Sequence, residues 1–71
     1  MEYLKIKDSS SIEWVGYDKP NRVLHVQFKD NETEYEYSEV PVKKWKELKE
    51  ADSKGEYINV CIKPFHTYNK V

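Results

Sequence analysis

Alternation between apolar and polar positions dominates the first half of the chain, and a period near three replaces it after residue 40. From Arg22 to Lys29, Leu24, Val26 and Phe28 fall on one side of an extended segment, with Val23, His25 and Gln27 on the other. Ile12 to Tyr17 reads as a strand before it, with Trp14 as a packing residue, and Asp18-Lys19-Pro20-Asn21 supplies the turn between them. Glu32 to Ser38 forms the next strand after a turn at Asp30-Asn31, placing Thr33, Tyr35 and Tyr37 opposite Glu34 and Glu36. Tyr3 to Lys7 offers a short additional strand or a loosely attached arm.

Beyond Val40, Pro41 suits the first helical position, where its missing N–H costs nothing. Val42, Trp45, Leu48 and Ala51 then recur at spacings of three and form one apolar stripe, with Lys43, Lys44, Lys46, Glu47, Lys49 and Glu50 mainly elsewhere. Gly55 reads as the helix terminator, Glu56 to Lys63 as a last strand, Pro64 as its end, and the polar tail to Val71 as a segment that frays. The expected architecture is therefore α+β, an antiparallel sheet of about four strands in the chain order β-β-β-α-β under one amphipathic helix. One helix covers one sheet face. The other face must be wet, ligand-bound or paired with a second chain.

The chain has 71 residues, enough for one small domain with its core between about residues 10 and 65 and loose ends. Its composition is 38% hydrophobic, 14% aromatic and 35% charged, so a few large side chains supply much of the core. Twelve Lys and Arg against 13 Asp and Glu leave a net charge of -1, without the cationic surplus that non-specific nucleic-acid binding uses. Cys61 is the single cysteine, which excludes an intramolecular disulfide or a multi-cysteine metal site. Met1 to Asp8 has no apolar run of leader length and no window approaches a membrane span, so the cytoplasm is the expected compartment.

The ordered motifs resemble the KTSC domain, a short module named for the C-terminus of some lysyl-tRNA synthetases that also occurs as a free-standing bacterial or phage protein. The resemblance runs from about Ser10 to Phe65. It rests on Ser10-Ser11, Tyr17, Leu24-x-Val26-x-Phe28, Tyr35-x-Tyr37, Val40-Pro41, Ala51-x-Ser53-x-Gly55, Tyr57-Ile58-Asn59 and Ile62-Lys63. Asp30-Asn31-Glu32 stands where the family usually has a glycine, and asparagine adopts the same backbone conformation there. The resemblance implies a non-catalytic module, with RNA binding suggested by association with the synthetase.

Three functions are compatible with these residues. In the first, a nucleic acid stacks on Tyr35 and Tyr37 while Lys43, Lys44 and Lys46 meet its phosphates. The competing account of the tyrosines packs both rings under Trp45 and Leu48, and that of the lysines is a solvated helix face. In the second, the chain is a protein-interaction or inhibitory accessory that pairs through an exposed sheet face or edge. In the third, Arg22, Ser53, Asn59 and Lys63 hold a nucleotide or small anion, against a simpler role for Ser53 and Asn59 in locking the helix-to-strand connection. Homodimerisation fits all three. His25 and His66 lack metal-ligand spacing, so no metal or cofactor is expected; a His25 pair with Glu13 or Glu34 is as well explained by a cross-strand charge contact. No nucleophile oriented by a base, paired-carboxylate motif or phosphate-binding glycine loop is evident, so an enzyme is not expected.

Overall fold

A computed structural model describes residues 1–7, 9–29 and 33–71. The expected Asp30-Asn31 turn lies outside them. Five strands form one antiparallel sheet in sequential order: β1 (Glu2–Lys5), β2 (Ile12–Asp18), β3 (Val23–Phe28), β4 (Glu34–Tyr37) and β5 (Tyr68–Lys70). Between β4 and β5 the chain leaves the sheet for α1 (Val42–Glu50), α2 (Lys54–Tyr57) and a π-helical turn over Ile58–Ile62. The α+β class and the helix-covered sheet stand as expected.

The second half of the chain departs from the expected strand. Glu56 to Ile62 is helical, and the fifth strand is built from the tail expected to fray. Gly55 does not terminate α1; it lies inside α2, and no glycine has a positive φ. Instead α1 stops at Ala51, whose extended backbone leaves its N–H on the Leu48 carbonyl at 3.2 Å. Ser53 then begins α2, its hydroxyl accepting from the Glu56 N–H at 3.3 Å. Pro41 is the residue before the helix rather than its first residue, a shift of one position.

The register sorts every strand residue onto a face. One row across the sheet runs Glu2, Tyr17, Leu24, Tyr37, Tyr68, and the next runs Leu4, Val15, Val26, Tyr35, Lys70. This is the helix-covered face. Trp45 and Leu48 of α1 and Ile58 and Ile62 of the following turn are buried with Val15, Tyr17, Leu24, Val26 and Tyr37 in one core. The Trp45 ring stacks on Tyr17 with centroids 5.4 Å apart. At the start of the α1 approach, Val40 is held at both backbone groups. Its N–H donates to the Arg22 carbonyl at 2.8 Å, and its carbonyl accepts the buried Tyr17 hydroxyl at 2.5 Å. Arg22 and Glu39 adopt the left-handed conformation at φ 56° and 57°, which turns the chain into these contacts.

Candidate functional site: the helix-free sheet face

The opposite rows define what remains open. One row crosses all five strands as Tyr3, Gly16, His25, Glu36, Asn69, and its neighbour runs Lys5, Trp14, Gln27, Glu34. Strand alternation puts these side chains away from the helices. The face has two halves. Tyr3 and Trp14 form an aromatic corner on β1 and β2, edge to face at 5.3 Å. Gly16 makes the corner possible, because a Cβ at that position would come within 3.0–3.1 Å of the Tyr3 ring. Tyr3 is 62% exposed, and a groove of about 440 Å³ is lined by Tyr3, Lys5, Glu13 and Trp14.

The other half is polar. His25 is 7% exposed, with Nδ1 lying 2.8 Å from Glu34 and 3.6 Å from Glu36. Of the two pairings open to His25, the one with Glu34 forms, and Glu36 joins it.

The expected nucleic-acid residues are dispersed. Tyr37 is 3% exposed, and Tyr35 is half-buried between Phe28 and Tyr68, each ring centroid 5.1 Å away. The two tyrosines belong to the helix-covered face, so they do not form an open stacking platform. Lys44 is likewise committed: its ammonium donates to the Cys61 carbonyl and the His66 Nε2, each at 2.9 Å, and lies 4.7 Å from the Phe65 ring centre. Lys43 and Lys46 are exposed on α1.

The expected anion site does not assemble either. Arg22 precedes the first residue of β3, while the Lys63 ammonium lies over the ring of Phe28, the last. Six extended residues separate these ends by about 17 Å. Ser53 is the cap of α2, and Asn59 is exposed in the π-helical turn rather than set in a strand. Tyr3 is not among the expected site residues, although the sequence carries a usable signal for it: it shares strand parity with Lys5 in the short N-terminal run.

His66 closes the junction between helices and β5. Its Nδ1 lies 3.1 Å from the Ser38 carbonyl, which can only accept, so Nδ1 carries the proton and Nε2 faces Lys44 with its lone pair. Burial, then the Lys44 charge, lower the His66 pKa below its usual range. The unfolded chain keeps an ordinary histidine near pH 6.5. The neutral ring's stabilisation is therefore complete above that pH and is lost as pH falls through the lowered folded value. Urea midpoints measured between pH 7 and pH 5 should fall, and His66→Gln should remove that part of the slope. An unchanged slope in the variant would assign the effect to another group.

The fold and the face define a small α+β module with a sheet covered on one side only. The KTSC domain family model matches residues 8–68, and the chain belongs to this family. A protein of Tsukamurella paurometabola is 39% identical over 57 residues, covering 80% of this chain and 84% of that protein. A protein of Stutzerimonas stutzeri is 40% identical over 58 residues, covering 82% and 80%. The crystal structure of a KTSC domain protein from Yersinia pestis superposes with a TM-score of 0.89 at 31% identity, covering 99% of this chain and 96% of that one. Among the described residues, no helix is long and apolar enough to cross a membrane.

Proposed function

We propose that this protein is a non-catalytic, cytoplasmic binding module that docks a polypeptide partner on the helix-free sheet face, with Tyr3 and Trp14 as anchors. The supporting observation is the aromatic corner of exposed Tyr3 and half-buried Trp14 at β1, one of the two edge strands of the sheet. An extended partner segment adding to that edge would set alternate side chains against Tyr3 and the groove shared with Glu13. A lysine or arginine suits the groove, its stem on the rings and its charge near Glu13.

Charge separates this reading from nucleic-acid binding. Glu34 and Glu36 share the open face and Glu13 lines its groove, against Lys5 alone among the cations of its two central rows. A phosphate backbone would be repelled there. The nucleic-acid reading retains Lys43 and Lys46, one helical turn apart on α1, and single-stranded RNA is therefore the comparison ligand.

Ten-residue extended peptides alternating Leu with Lys, or Leu with Glu, serve as probes. The Lys series should shift the tryptophan emission, and Trp14→Ala should weaken its binding at least about tenfold, as removal of an interface anchor does. The Glu series should bind more weakly. If single-stranded RNA instead gives a salt-sensitive gel shift that Lys43→Glu with Lys46→Glu abolishes, the nucleic-acid reading replaces this one. Light scattering of the protein alone reports whether a second copy is the partner.

A further inference from the structure

We propose that His25, Glu34 and Glu36 form a binding site for a divalent transition-metal cation of the zinc type. The proposal rests on the polar half of the open face and is independent of partner binding at Tyr3 and Trp14. One imidazole nitrogen and two carboxylate oxygens, all within 4.8 Å of one another, are brought together from neighbouring strands. His25 and Glu36 are directly paired across β3 and β4, while Glu34 lies two residues along β4 on the same face. Two paired strands hold all three Cα atoms, so the donors need no loop to order them.

Their spacing suits a small cation. Zinc–nitrogen and zinc–oxygen bonds of about 2.0–2.2 Å place tetrahedral donors roughly 3.3–3.5 Å apart. The His25 Nδ1 distances to the two carboxylates are 2.8 and 3.6 Å, on either side of that value. Side-chain rotation closes the rest, because Glu34 and Glu36 keep 27% and 38% of their side-chain surface exposed. The His25 side chain, by contrast, is only 9% exposed although no helix covers this face. Its Nδ1 faces both carboxylates, which only accept, so without metal Nδ1 carries the proton; a metal displaces that proton and the ring binds as the neutral Nε2–H tautomer. Two carboxylates with a neutral imidazole carry two negative charges, which a divalent cation neutralises and a single proton on the ring does not. The mixed nitrogen and oxygen set favours zinc, manganese or cobalt over the all-oxygen preference of calcium and magnesium. Three protein ligands leave a fourth position for water or for a donor from a bound partner.

The test uses the full chain after treatment with a chelator. Zinc added at increasing concentration should raise the melting temperature, since a ligand that binds only the folded state stabilises it by mass action. Cobalt should give a visible d–d absorption that saturates at one ion per chain. Glu34→Gln and Glu36→Gln, each more exposed than the histidine and so less costly to folding, should each weaken binding at least tenfold. His25→Gln should abolish the cobalt spectrum. A His66→Gln, Cys61→Ser variant should retain full binding. The proposal is overturned if millimolar zinc leaves the melting temperature unchanged, or if the Glu34 and Glu36 variants bind as tightly as the native chain. It is also overturned if binding follows His66 and Cys61 instead, or if the triad proves to hold only its own proton and no metal.

Discussion

Trp45→Ala should be the most damaging single substitution in this protein, lowering stability by about 3–5 kcal/mol. The side chain is 2% exposed at the centre of the helix–sheet interface. Its removal takes away the stack on Tyr17 and leaves a large cavity under α1. It also releases the indole N–H bond to Glu2, 3.1 Å long, which ties β1 to the helix. Glu2 meets Lys49 at 3.0 Å, and Lys49, then the indole N–H, hold its carboxyl below the usual range. That exposed ion pair adds little by itself, and the loss is dominated by the ring. A chain of 71 residues has roughly 4–11 kcal/mol of stability, so the variant should lose much of it. Each kcal/mol moves the melting point of such a domain by about 4–8 °C. Urea unfolding followed by circular dichroism measures the change, and a loss under about 1 kcal/mol would mean that the helix does not depend on this contact.

Tyr37→Ala should come next, at about 3–4 kcal/mol, and should exceed Tyr35→Ala by at least a factor of two. Tyr37 is paired with Leu24 and Tyr68 in the row under the helices and is 3% exposed. Tyr35 has the same strand parity but lies farther along, held edge-on by Phe28 and Tyr68 and half-open to solvent. If the pair were a ligand platform, both alanine variants would keep native stability and lose binding instead. Parallel urea titrations and low-salt RNA gel shifts distinguish these outcomes.

The same two tyrosines show what a strand pattern contains. Their shared face followed from alternation alone, and so did the placement of Glu34 and Glu36 opposite them; that His25 joins those carboxylates was set by the β3–β4 register. Which face α1 would cover did not follow, because both faces carry aromatic residues: Tyr35 and Tyr37 on one, Tyr3 and Trp14 on the other. The helical identity of residues 54–62 was also present in the sequence, though it was outweighed by β propensity. Ser53-Lys54-Gly55-Glu56 has the spacing of a capping box, and Tyr57, Ile58, Cys61 and Ile62 follow a helical period. The isoleucines there serve helix packing, Ile58 and Ile62 being fully buried, whereas Val60 is exposed. Propensity is a weak local bias, and burial of one apolar stripe overrides it.

The fifth strand had no such signal. Tyr68–Lys70 is exposed along its length and has no apolar alternation to announce it. It forms because the helices return the chain beside β4, where Ser38 N–H meets the Thr67 carbonyl at 3.0 Å and Val71 N–H meets the Glu34 carbonyl at 2.9 Å. Lys44 and His66 are likewise unconnected along the sequence, and only that return brings them together. Local periodicity and ordered motifs set the α+β class, the face of each residue within its strand, the α1 stripe and the family. The tertiary structure alone decided which sheet face stays open, and with it that Tyr3, Trp14, His25, Glu34 and Glu36 share the open surface. That choice depends on how large side chains 20 or more residues apart fit together, and no local pattern encodes it.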